Sequence, residues 1–174
     1  MVMGMLAAGG LELMTDGARV PDESNPAGYF EYERVKTLDK GGDKTWLKGA
    51  RGKGIKIISF LLRDLPDTNS YRVIFLDRDM DETIRSQQKM LVASGAHADP
   101  AQDELVAAGF RDHLRTVKAM LAHRPCFEAL ALNHADVLNH PVEQAARIER
   151  FVDAGLDAAK MAAIVDRALY RNRR

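Results

Sequence analysis

The sequence has a single cysteine, no long apolar run and no surplus of either charge. Cys126 is the one cysteine among 174 residues, which excludes a disulfide framework and a zinc site built from cysteines. No stretch approaches the ~20 apolar residues that span a bilayer. Lys and Arg total 25, as do Asp and Glu, so the formal net charge is zero. This balance argues against general binding to nucleic acid or to an anionic membrane, both of which require a basic surplus.

The composition is that of an ordinary globular domain. Apolar residues make up 46% of the chain and charged residues 29%. A chain of this length can bury roughly 70% of the surface that it exposes when unfolded. We therefore expect one domain over residues 1–174, and the lone thiol favours a reducing cytoplasm.

Short apolar runs rich in β-branched residues predict buried strands at residues 55–62, 71–76 and 127–132. Residues 63–70 are too few for the crossover that joins two parallel strands. Either residues 60–65 form a tight helical turn or the first two strands make an antiparallel hairpin, and we favour the turn.

Capping and spacing signals predict helices between these strands. The clearest follows the N-cap Asp99, with Pro100 at its first position and apolar residues at a 3.6-residue period as far as residue 121. Further helices are predicted at residues 1–8, 31–38, 79–93, 141–154 and 157–165. Strands separated by capped helices predict an α/β fold with a mainly parallel sheet and flanking helices.

Ligands of such sheets bind beyond the carboxyl ends of the strands. That rule selects residues 77–79 and 133–136. Arg78 lies where a strand leads into a helix N-terminus, and a guanidinium beside free backbone N–H groups makes a good phosphate site. The hydroxyl of Ser86, eight residues later, could donate to the same anion. The alternative is that Arg78 pairs with a neighbouring aspartate on the surface.

Several segments resemble the bacterial sulfotransferase family, whose fold is related to that of P-loop kinases. The most specific are Asn-Pro-Ala-Gly-Tyr-Phe-Glu at residues 25–31 and the stretch 71–91, which contains Arg78 and Ser86. Residues 5–17 and 165–173 resemble the family's first helix and its C-terminal signature. The resemblance implies a three-layer P-loop NTPase-like fold. It also implies transfer of a sulfuryl group from 3′-phosphoadenosine 5′-phosphosulfate to a hydroxyl or amine, without a metal, and Arg78 and Ser86 would hold the 3′-phosphate of this co-substrate.

One part of the family's pattern has no counterpart here. Family members begin with a strand and a phosphate loop of the type Gly-x-Pro-Arg-Ser-Gly-Thr, and the nearest similar segment, Gly41–Thr45, has the wrong glycine spacing and is predicted to be an exposed turn. Losing three or four hydrogen bonds to a charged group, at ~1.5–3 kcal/mol each, would remove roughly 5 kcal/mol, which is over a thousandfold in affinity. We therefore expect an N-terminally truncated family sequence with impaired activity. The alternative is an inactive remnant that binds a nucleotide or another protein.

Further candidates come from carboxylate and imidazole side chains. Glu31 could take the acceptor's proton, although a glutamate in the first turn of a helix is also favoured by the helix dipole, as Glu33 more clearly is. His134 is the one histidine near a predicted strand end and is a second candidate base. Lys53 and Lys56 are interpreted as solvated strand ends.

The resemblance implies a small molecule or metabolite as acceptor, and the sequence does not identify it. The loop at residues 15–30 and the helix at 100–123 would shape its pocket. His113, on that helix, is interpreted as a residue on the helix flank. The buried position expected for Cys126 assigns it no chemistry.

Overall fold

The computed structural model describes residues 1–20, 28–79 and 100–166. Its helices are α1 (Val2–Ala8), α2 (Pro100–His123), α3 (His134–Asn139), α4 (Pro141–Val152) and α5 (Ala158–Ala163). The 3₁₀ helices of the described part are Glu33–Lys40, Thr45–Ala50 and Ser59–Asp64. The predicted helix at residues 79–93 and the N-cap Asp99 lie outside the described residues, apart from Asp79.

The described sheet is a parallel pair of strands, β1 (Tyr71–Asp77) and β2 (Phe127–Asn133). Tyr71 lies opposite Phe127 and Asp77 lies opposite Asn133, so both strands end at the same level. Both strands agree with the sequence prediction to within a residue, and α2 has the predicted bounds. The α/β class with parallel strand pairing is therefore confirmed.

Alternating residues of the strands pack into two different apolar clusters. The helical cluster contains Ile74 and Leu132 and is built mainly from α1, α4 and α5. Its fully buried side chains include Met5, Val137, Ala145, Ile148 and Met161.

The 3₁₀ cluster lies on the opposite face of the sheet and takes Val73, Phe75 and Phe127 from the strands. The 3₁₀ helices and α2 supply most of the rest, among them Leu38, Trp46, Leu61, Leu62, Val117 and Leu121. Trp46 and Leu47 are buried in the 3₁₀ helix Thr45–Ala50, which the sequence analysis does not predict. The apolar side chains of Trp46 and Leu47 stabilise it by packing beneath the sheet.

Caps fix where the helices beyond β2 begin and end. The Asn133 side chain accepts a hydrogen bond from the backbone N of Ala135 at 2.8 Å, and Asp157 accepts one from Lys160 N at 3.0 Å. Pro141 occupies the first turn of α4, where its missing N–H costs nothing. These short-range signals explain why α4 and α5 begin close to their predicted positions, whereas α3 is a helix that the sequence analysis does not predict.

The predicted strand at residues 55–62 is wrong. Gly54 makes a single parallel bridge with Leu13, and the chain then turns into the 3₁₀ helix Ser59–Asp64. The expected tight helical turn is confirmed and the hairpin alternative is wrong. Leu61 and Leu62 of this apolar run are buried in the turn that packs against α2.

The described residues contain no helix that is both long enough and apolar enough to cross a membrane.

Candidate functional sites at the carboxyl edge of the sheet

The carboxyl ends of β1 and β2 bring two predicted site residues side by side. Asp77 and Asn133 are the last paired residues, so Arg78 and His134 directly follow the ends of adjacent strands, and His134 begins α3. Both side chains are half-buried. Parallel pairing has therefore placed a guanidinium and an imidazole at one edge, as the sequence predicted.

A lysine of α2 fixes the end of β1. Lys118 Nζ pairs with the carboxylate of Asp77 and lies 5.9 Å from the centre of the Phe75 ring. One of the aspartates that could compete for Arg78 is thus bound to another cation.

Ser86 lies outside the described residues. The convergence of Arg78 and Ser86 on one anion therefore stays a prediction.

Glu31 lies in a separate cluster with Arg19, Tyr29 and Lys56, which we call the Glu31 cluster. Lys56 Nζ donates to Glu31 Oε1 at 3.3 Å and to the carbonyl oxygen of Tyr29 at 3.1 Å. Arg19 lies over the Tyr29 ring, 3.4 Å from its centre, and its Nη1 is 3.5 Å from Glu31 Oε1. The carboxylate side chain is 23% exposed and has a cation on two sides.

Glu33 has a different setting from Glu31. Its exposed carboxylate pairs with Lys36 at 2.6 Å, and its backbone N donates to Asp16 Oδ2. That bond, with a second from Ala18 N, lowers the pKa of Asp16. Glu33 is the first residue of a 3₁₀ helix at the surface, which agrees with its interpretation as a glutamate in the first turn of a helix.

The interpretation of Lys56 as a solvated strand end is wrong, because Lys56 is the centre of the Glu31 cluster. The predicted strand at residues 55–62, whose end Lys56 would have marked, does not form. The Glu31–Lys56 contact joins residues 25 apart in a segment of turns and 3₁₀ helices, so neither helical nor strand periodicity could have revealed it.

A second polar group, which we call the His113 cluster, lies between α2 and the 3₁₀ helix Ser59–Asp64. Ser59 Oγ is 2.9 Å from His113 Nε2. The Phe60 ring stacks on the imidazole with centres 3.6 Å apart and planes within 5°, and Phe110 lies 6.3 Å from Phe60. Burial, together with the nearby charge of Arg63, lowers the pKa of His113 below its usual 6.5, so the imidazole is neutral near pH 7.

The sequence interpretation of His113 as a residue on the helix flank missed this arrangement. The partners are 54 residues apart, and Ser59 was assigned to a strand. The adjacent Ser59 and Phe60 place a hydroxyl beside an aromatic ring, which is the local sequence feature of this cluster. Their contacts with His113 form only because α2 packs against this turn.

Cys126 is part of a hydrogen-bonded group that stabilises the fold. It is buried and its Sγ–H donates to Asp67 Oδ1 at 3.2 Å. Burial raises the pKa of this thiol. Arg124 binds the same carboxylate and also donates to the Leu65 carbonyl oxygen at 2.9 Å, so the group ties the loop before β1 to the end of α2.

Comparisons with protein-family models, with curated proteins and with solved structures return no match. Among residues 1–20, 28–79 and 100–166, no group of three His, Cys, Asp or Glu side chains could hold a metal ion.

Proposed function

We propose that this protein is a sulfotransferase-like protein that holds a 3′-phosphoadenosine nucleotide at the carboxyl edge of its sheet. Arg78 and Ser86 bind the 3′-phosphate of 3′-phosphoadenosine 5′-phosphosulfate. The proposal includes a three-layer P-loop NTPase-like architecture and a cytoplasmic setting.

The observation that carries the proposal is the position of Arg78. It follows the last residue of a parallel strand, half-buried, at the edge where open α/β sheets bind their ligands. A planar guanidinium gives a phosphate two parallel donors, which a surface lysine does not. The Asp77–Lys118 pair holds the preceding residue in place.

The transfer step requires a base as well as a donor site. The acceptor oxygen forms a bond to sulfur, the bond from sulfur to the 5′-phosphate oxygen breaks, and the acceptor's proton passes to a carboxylate, for which Glu31 is the candidate. Arg19 and Lys56 both contact Oε1 of this carboxylate, so Oε2 is the oxygen that we assign to receive the proton.

Because this sequence contains no phosphate loop, the second candidate function is binding of the nucleotide without sulfuryl transfer. Donor binding and transfer are therefore measured separately. Binding of 3′-phosphoadenosine 5′-phosphate, the product nucleotide, is followed by thermal shift, because a ligand that binds only the folded state raises the melting temperature. Transfer is followed as labelled sulfuryl group passing from donor to acceptor.

We expect the nucleotide to raise the melting temperature of the unmodified protein and to raise that of Arg78→Ala much less. A hydrogen bond to a charged group is worth ~1.5–3 kcal/mol, so its loss weakens binding about tenfold or more. Arg150→Ala removes an exposed charge on α4 and serves as the matched control. Equal shifts in the protein and in Arg78→Ala would remove Arg78 from the site, and no shift in either would remove the donor nucleotide.

A further inference from the structure

The hydrogen bonds of the parallel pair leave one side of β2 facing away from β1. Tyr71 N donates to the Cys126 carbonyl oxygen at 2.8 Å, so the register points the backbone groups of the even-numbered residues from 126 to 132 towards β1. The backbone groups of Ala129 and Ala131 therefore point the other way. In the part of the chain that the structure describes, β1 is the one neighbour of β2, so this outer side is an open edge of the sheet.

The residues of this edge offer little resistance to another strand. Ala129 and Ala131 are both exposed, and their side chains end at Cβ. Open edges present N–H and C=O groups on which a strand of another chain can pair, and proteins commonly block such edges with charged side chains or prolines. Neither alanine provides such a block, so any protection of this edge has to come from another element.

Arg147 of α4 lies against this edge. Its Nη2 donates to the carbonyl oxygen of Ala131 at 3.3 Å, and its Nη1 donates to Gln144 Oε1 at 2.7 Å. Gln144 is only 3% exposed and lies one turn before Arg147 on the same face of α4, so it holds the guanidinium in place. Arg147 thus occupies an acceptor that an added strand would need, and it places a charge where that strand would lie.

We propose that Arg147 guards the outer edge of β2 and keeps β2 of a second copy of this chain from pairing there. A two-fold axis through Leu130 would place Ala129 opposite Ala131 of the other copy. Both residues face outward, so this pair exchanges both hydrogen bonds of an antiparallel ladder. The exposed side chains of the two Glu128 residues then lie four residues apart, about 13 Å along the strands, and like charges do not meet.

The association that Arg147 opposes is weak, which is why one side chain is enough to prevent it. Stable complexes bury ~1,200–2,000 Å², and the pairing of two seven-residue strands at their edges makes a smaller interface. Another strand would have to displace the guanidinium from Ala131 before it could pair. The loss of one hydrogen bond to a charged group therefore shifts the balance measurably.

The test compares Arg147→Ala with Arg150→Ala, which removes an exposed arginine of the same helix. Sedimentation velocity of the full chain without nucleotide measures association over a range of concentrations, and circular dichroism checks that each variant is folded. We expect Arg147→Ala to dimerise at concentrations about tenfold lower than the unmodified protein, because an acceptor is freed and a charge is removed. Arg150→Ala should sediment as the unmodified protein does.

A second substitution distinguishes edge pairing from a loss of stability. Because the Ala129 N–H points away from β1, a proline at this position removes no hydrogen bond of the parallel pair, yet its ring obstructs an added strand. We expect Arg147→Ala/Ala129→Pro to lose the additional association. Arg147→Ala/Ala129→Lys should lose it too, since a charge on the edge opposes pairing without changing the backbone.

Three results would overturn the proposal. One is Arg147→Ala that associates no more strongly than the unmodified protein. Another is an equal gain of association in Arg150→Ala, which would mean that any lost charge on α4 has this effect. The third is association of Arg147→Ala that survives both substitutions of Ala129, which would place the contact elsewhere. None of these results depends on the proposed function, because the nucleotide is absent throughout.

Discussion

The two faces of the sheet are built in different ways. The helical cluster packs α-helices on one face and holds Met5, Ala145, Ile148 and Met161 with no exposed surface at all. The 3₁₀ cluster on the other face consists largely of turns and short helices, and most of its core side chains keep a few per cent of exposure. A buried donor, Trp46 Nε1, has no described partner on that side.

The difference distinguishes the face of the sheet that mainly stabilises the fold from the face that carries the polar clusters. Both polar clusters, the one around Glu31 and the one around His113, involve the segment of turns and 3₁₀ helices. Tight helical packing leaves little room for a ligand, whereas less regular packing can place polar groups at a surface and let them move. We therefore expect substitutions on the helical face to change stability and substitutions on the 3₁₀ face to change binding.

The largest expected effect is at Ile148. Its side chain is fully buried in the helical cluster, so Ile148→Ala should lower the free energy of unfolding by about 2–5 kcal/mol through lost burial and a residual cavity. Urea unfolding measures the change. Val142→Ala, on the same helix but 73% exposed, should cost far less, and similar losses in both would mean that α4 is not packed as described.

A glycine on each face gives a second contrast. A Cβ at Gly9 would lie 2.7 Å from Met161 Cγ, in a cluster with no space to yield, so Gly9→Ala should destabilise by ~1–3 kcal/mol. Gly49, in a 3₁₀ helix of the other face, has no described atom within 4 Å of that position. Gly49→Ala should be neutral or slightly stabilising, because alanine restricts the unfolded chain. A loss at Gly49 as large as that at Gly9 would contradict the difference in packing.

The smallest expected effect is a pH dependence at His113. Its pKa in the folded protein is below the 6.5 of the unfolded chain, so protons bind the unfolded chain more readily. Stability from the neutral imidazole is present above about pH 6.5 and is lost as the pH falls through the folded pKa. The melting temperature should therefore drop more between about pH 7 and pH 5 in the unmodified protein than in His113→Gln. Parallel profiles would mean that His113 titrates alike in both states.

The sequence predicted the parts of the fold that local signals control. The bounds of α2 follow from Pro100 and the 3.6-residue period, and both strands of the parallel pair follow from their apolar runs. The prediction of a strand at residues 55–62 is wrong because a short apolar run does not by itself distinguish a buried strand from a turn that packs against a helix. Here it packs against α2.

The candidate site was predictable to the same extent. The rule for carboxyl edges located Arg78 and His134, because parallel register carries both to one level. Lys56 and His113 were missed since their partners are far away in the chain and lie on turns, where no periodicity exists to align them. Pairing of this kind is fixed by tertiary packing and has no local signature.

Discrimination between two nucleotides measures the role of Arg78 most directly. The affinities of 3′-phosphoadenosine 5′-phosphate and adenosine 5′-phosphate, which differ only in the 3′-phosphate, are determined calorimetrically for the unmodified protein and for Arg78→Ala. The account predicts at least a tenfold preference for the 3′-phosphorylated nucleotide in the protein, and near parity in Arg78→Ala, since the lost contact serves that phosphate alone. Parity in the unmodified protein, or a preference that survives in Arg78→Ala, would contradict it.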